Sequence, residues 1–103
     1  MKITHILNVL REEFSEYEVS LHQVLAYVYE RKTQRVQTRV TDLVQKINFG
    51  TGPTVHNKLA WLEVRGPVEL KQCATDGRAK VIVITTAGIN QLREMEKILL
   101  EAV

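Results

Sequence analysis

The run TGPTVHNKLAWLEVRGPV, residues 51–68, decides the fold. Thr51 is a good N-cap, and Pro53 follows within the first turn, where a missing N–H costs nothing. Val55, Leu59 and Leu62 recur four and three apart, the spacing of one buried helical stripe. Gly66 reads as the C-cap, and Pro67 forbids continuation. A helix of about residues 52–65 with two firm ends is therefore predicted. Its inward stripe leaves Pro53, His56, Asn57 and Ala60 outward, with Thr54 and Lys58 on the shoulders.

Downstream, Val68-Glu69-Leu70-Lys71 alternates as a short strand, and residues 74–78 form a turn around Gly77. Residues 79–84 are a β-branched run that pairs back as the second strand of a hairpin. Thr85 or Thr86 then starts a last helix with Ile89, Leu92, Met95, Ile98 and Leu99 on one side. Upstream, Thr41 or Asp42 is expected to cap a short helix with Leu43, Val44 and Ile47 inward, stopping at Asn48-Phe49-Gly50. Residues 33–39 suit a short strand or an extended connection. Ser20 is expected to cap a helix running to about Lys32, with Leu21, Val24, Leu25 and Val28 inward. Residues 12–18 read as a polar link, and Ile3, Ile6, Leu7, Leu10 and Phe14 mark an amphipathic helix over residues 3–14.

The order is helix, helix, short strand, helix, helix, hairpin, helix. Two short helices across a glycine-containing turn, the second followed at once by a hairpin, describe a winged helix-turn-helix. The expected class is mainly α with a small β-hairpin. Residues 1–103 form a single domain, since this length supports one core and not two.

Composition narrows the function. No apolar run approaches the ~18–20 residues of a membrane span, and the apolar residues near the N-terminus are broken by Asn8 and Arg11. One cysteine, Cys73, allows no internal disulfide, which suits a reducing, cytoplasmic setting. The net charge of +2 conceals an asymmetry. Residues 31–80 hold ten Lys and Arg against four acids, whereas the flanks hold four basic and eight acidic residues. A basic centre between acidic ends suits a face that meets a polyanion. Enzyme signatures are missing: Ser15 and Ser20 are the two serines, and there is no G-x-S-x-G, P-loop or C-x-x-C. His5, His22 and His56 lack metal-ligand spacing, so neither a metal nor another cofactor is expected.

From Thr41 to about Leu92 the chain resembles the MarR-type transcription regulators. Thr54-Val55, Leu59, Leu62-Glu63, Arg65-Gly66 and Val68 follow that family's recognition-helix run without gaps. Asp76-Gly77-Arg78 matches its wing signature, and residues 81–88, ending in Thr85-Thr86-Ala87-Gly88, match its exit from strand to dimer helix. The first and last helices are short, as in the compact SarA-like relatives. The resemblance implies a regulator, read as a repressor, that binds double-stranded DNA as a homodimer. The helix of about 52–65 would enter the major groove and the wing, residues 72–79, the minor groove. The terminal helices, 3–14 and 86–102, would pack between subunits through Ile3, Leu7, Leu10, Ile89, Leu92 and Leu99. It leaves open whether any small-molecule effector binds.

The expected DNA-binding residues are Thr51, Pro53, Thr54, His56, Asn57, Lys58, Lys71, Arg78, Lys80 and Arg39, with Arg35 and Lys46 as weaker phosphate contacts. Asn pairs bidentately with adenine, and His or Thr donates to base edges or phosphates. Arg78 at the wing tip suits a narrow, electronegative minor groove, with Asp76 placed to hold its guanidinium. Lys71 and Lys80 flank it on the hairpin strands as phosphate contacts. A different class of function on the same fold is a protein–protein interaction module within a larger assembly. A basic centre favours DNA over it.

Overall fold

A computed structural model describes residues 3–46, 49–75 and 77–101. Along the chain run α1 (Ile3–Glu13), α2 (Glu16–Thr33), β1 (Thr38–Arg39), α3 (Val40–Val44), α4 (Gly52–Arg65), β2 (Val68–Gln72), β3 (Lys80–Ile84) and α5 (Thr86–Glu101). The strands form one antiparallel sheet in the order β1-β3-β2. Val68 lies opposite Ile84 and Gln72 opposite Lys80, so β2 and β3 make the expected hairpin. β1 adds a third strand by setting Thr38 against Ile82 and Arg39 against Val81. The segment that read as strand or connection is thus the edge that joins the sheet to the helix-turn-helix.

The core lies where α2 meets α4 and the sheet. Leu21, Val24, Leu25 and Val28 of α2 pack with Leu43, Val55, Leu59, Leu62, Val68, Ile82 and Ile84. Both ends of α4 fall where the quoted run places them. Thr51 is extended at the N-cap (φ −73°, ψ 167°), proline stands in the first turn, and Gly66 closes the helix at φ 103°. That left-handed geometry favours glycine. It turns the chain straight into β2.

Two helix starts differ from the sequence reading. α2 begins at Glu16, capped by Ser15, whose hydroxyl accepts from the Glu18 N–H at 3.1 Å. Ser20 sits inside this helix and donates to the Tyr17 carbonyl. Glu16 and Glu18 occupy the first turn, where negative charge suits the helix dipole. That turn is exposed and shows no apolar period, so the same residues read as a polar link. α3 starts at Val40, two or three residues earlier than a cap at Thr41 or Asp42 would place it, with Arg39 at the N-cap. Asp42 acts three residues on, its carboxylate accepting from the Arg39 N–H at 2.8 Å. Ile47, expected inward on α3, lies outside the described residues.

Candidate nucleic-acid interface

α3 and α4 form the helix-turn-helix, and α4 is its second, outward-facing member. Burial of Val55, Leu59 and Leu62 fixes its rotation. Thr51, Pro53, Thr54, His56, Asn57 and Ala60 are all exposed. Thr51 and Thr54 join their hydroxyls at 3.1 Å, which steadies the first turn. Lys58 departs from its expected place. It is only 8% exposed, and its ammonium donates to the Phe49 carbonyl at 3.1 Å. Positions 55, 58, 59 and 62 form an i, i+3, i+4, i+7 set, so the inward stripe runs through Lys58. Its charge is spent on the turn between α3 and α4 and not on the outward face.

The wing is built from β2 and β3, which carry Lys71 and Lys80 into solvent. Lys71 pairs with Glu69 at 3.5 Å, with both side chains more than half exposed. Beyond the ladder, the Cys73 N–H donates to the Ala79 carbonyl at 2.9 Å and closes the hairpin towards its tip. Cys73 itself is buried, its sulfur 3.3 Å from the Thr75 hydroxyl and 3.9 Å from Nη2 of Arg39. Arg39 thereby leans across from β1 to the wing. Arg78 is exposed at the tip. Asp76, expected to hold it, lies outside the described residues.

These parts meet. A depression of about 370 Å³ is lined by Arg39, Val40, Thr41, His56, Leu70, Arg78, Ala79 and Lys80. Four of the ten expected contact residues, from β1, α4, the wing tip and β3, share this one concavity. Thr41, exposed at the start of α3, is a lining residue that the sequence reading missed. Its signal was its place beside Arg39. Of the weaker candidates, Lys46 is exposed with its ammonium 5.5 Å from the Tyr27 ring, and Arg35 lines a different hollow. Arg31 is structural: it donates to the Gln37 carbonyl at 2.7 Å and pairs with Asp42 at 3.4 Å. No group of three potential metal ligands occurs among the described residues.

No family model and no curated protein matches the sequence. Solved structures do match. A point mutant of Staphylococcus aureus MepR bound to an oligodeoxyribonucleotide superposes with a TM-score of 0.74 at 26% identity, over 97% of this chain and 69% of that one. A MepR–DNA complex matches with a TM-score of 0.71 at 25% identity, over 95% and 69%. MepR described as a transcription regulator of the S. aureus multidrug efflux pump MepA gives 0.71 at 25%, over 97% and 68%. The fold is that of MepR. The likeness to MarR-type winged-helix regulators, read first from the recognition-helix run, the wing and the strand exit, therefore holds in three dimensions. Among the described residues, no helix is long and apolar enough to cross a membrane.

Proposed function

We propose that this protein is a sequence-specific DNA-binding transcription regulator that grips a pseudo-palindromic site as a homodimer. α4 enters the major groove, presenting His56 and Asn57 to base edges and Thr51, Pro53 and Thr54 to the adjoining backbone. The wing reaches the neighbouring minor groove with Arg78, while Arg39, Lys71 and Lys80 meet phosphates. A dimer seated on such a site blocks its use by other proteins, so the sign of regulation is repression. The observation that carries this reading is the convergence of Arg39, His56, Arg78 and Lys80 on one concavity beside the outward face of α4. The MepR–DNA complexes support it through the shared fold.

The test is duplex binding across a salt series, with a site selected from random DNA and a scrambled control. Phosphate neutralisation gives a steep, log-linear loss of affinity between ~50 and ~200 mM salt. A preference for the selected site at each salt concentration is expected. A flat salt response would overturn the DNA reading and leave the fold as a protein-interaction module.

A further inference from the structure

Gly66 and Pro67 alone link α4 to the wing. Gly66 closes the helix at φ 103°, and Pro67, fully buried, precedes β2 without an N–H of its own. So short a hinge leaves the angle between α4 and the wing to whatever ties the two across it. Thr85 holds the hinge itself, its hydroxyl donating to the Gly66 carbonyl at 2.6 Å and its N–H to the Pro67 carbonyl at 2.9 Å. Neither bond joins the body of α4 to the strand beyond.

A side chain does so. β2 is an edge of the sheet, and alternate N–H groups of an edge strand have no sheet partner. Leu70 carries such a group, and its N–H donates to Oε2 of Glu63 at 3.2 Å. Glu63 lies about two turns beyond His56 on the same flank of α4. His56 and Leu70 both line the concavity that holds Arg39, Arg78 and Lys80. The tie therefore runs along the side of the proposed DNA-binding face. A carboxylate is out of keeping with the charge of that face. Glu63 is exposed, forms no ion pair among the described residues, and would repel a phosphate backbone.

We propose that Glu63 is a positioning residue that sets the angle at which the wing leaves α4. With the tie made, His56 and Asn57 on α4 and Arg78 at the wing tip are held as one unit, ready for adjacent major and minor grooves together. Without it the wing turns about Gly66 and Pro67, and the cost of ordering it comes out of the affinity. The carboxylate acts by its reach and not by its charge. This inference rests on the DNA reading above, since a wing that meets no DNA has nothing to be aimed at.

The test is binding of the parent and its variants to the duplex selected from random DNA, with amide exchange and melting measured alongside. Glu63→Gln keeps a carbonyl oxygen at the same reach and removes the charge, so it should bind as the parent does or somewhat more tightly. Glu63→Asp keeps the charge but is a methylene too short, so it should bind about tenfold more weakly, the size of a lost charge-assisted bond. Amide exchange at Leu70 should quicken in the Asp variant and not in the Gln variant. In an Arg78→Ala background, Glu63→Asp should cost less than about twofold, because the contact that the tie aims is gone. A part in folding alone would lower the melting temperature and leave that cycle additive. Charge alone would make the Gln variant tighter and leave the Asp variant like the parent. Either pattern, or equal Leu70 exchange in the two variants, overturns the proposal while the parent still binds with a steep salt response. A parent without that response overturns the DNA reading, and this inference with it.

Discussion

Thr85 joins the recognition helix, the wing and the last helix through one side chain. Its hydroxyl donates to the Gly66 carbonyl at 2.6 Å and accepts from the Gly88 N–H at 3.2 Å, while its own N–H donates to the Pro67 carbonyl. Gly88 packs so closely that a Cβ there would press on the Pro67 carbonyl and stand 2.7 Å from Cγ1 of Ile84. The Thr-x-x-Gly spacing was legible as a motif, but the partners that require it come from residues twenty positions away. Thr85→Val keeps the shape and removes both hydroxyl bonds, so calorimetry should show a loss of about 1–3 kcal/mol. Gly88→Ala should cost a similar ~1–3 kcal/mol through overpacking against backbone that cannot yield. Arg78 is the opposite case. It is exposed in the wing tip, so Arg78→Ala should change stability by no more than ~0.5 kcal/mol. The same change should weaken DNA binding by roughly tenfold or more. Lysine should restore only part, since a strongly hydrated ammonium enters a narrow groove less readily than guanidinium. An Arg78→Ala variant that binds like the parent would remove the wing from the interface.

At the scale of elements, the apolar stripe of α4 identified the helix and its inward side, and the structure agrees on Val55, Leu59 and Leu62. The stripe also held Lys58, whose charge disguised a buried position. Chemistry outvoted geometry there, and the wrong residue joined the contact set. The two kinds of lysine separate by experiment. Lys58→Met leaves the Phe49 carbonyl without its donor, so it should lower stability by about 1–3 kcal/mol while leaving the salt slope of DNA binding unchanged. Lys80→Ala should do the reverse, reducing the slope by about one unit per subunit at little cost in stability. His56 and Asn57, outward on α4, belong to a third class. Replacing either with alanine should cost roughly 1–3 kcal/mol on the preferred site and much less on scrambled DNA, which competition binding will read. Equal losses on both would show that α4 touches backbone and not bases. The start of α2 was illegible for a different reason: an exposed first turn has no apolar period to read, and only the Ser15-x-x-Glu18 spacing marked it.

The molecule as a whole is longer than its core requires. Its radius of gyration is 14.5 Å with a long axis of 47 Å, against about 13 Å for a compact chain of this length. α1 buries none of its residues, and Ile3, Leu7 and Leu100 are each more than half exposed. Ile6, Leu92, Met95, Leu99 and Leu100 line an apolar hollow of about 420 Å³ between the first and last helices. Of the residues expected between subunits, Ile89 and Leu92 already pack partly against the chain's own core, so Ile3, Leu7 and Leu100 offer more surface to a partner. The charge pattern bears on the same question. Of the ten cations in residues 31–80, Lys58 is buried and Arg31 is tied to Asp42; among the other eight, Arg39, Lys71, Arg78 and Lys80 are the four proposed to meet the DNA. A dimer doubles that set, and the log–log salt slope should then approach about −7, against roughly half that for one subunit. Replacing Leu7 and Leu100 together with aspartate tests the link between assembly and binding. Both are exposed, so each subunit should keep its melting behaviour to within ~0.5 kcal/mol per site. Sedimentation at tens of micromolar should shift from dimer to monomer, and the salt slope on a two-half-site duplex should fall by about half. A parent protein that already sediments as a monomer, or a variant that stays dimeric with its slope intact, would place the subunit contact elsewhere.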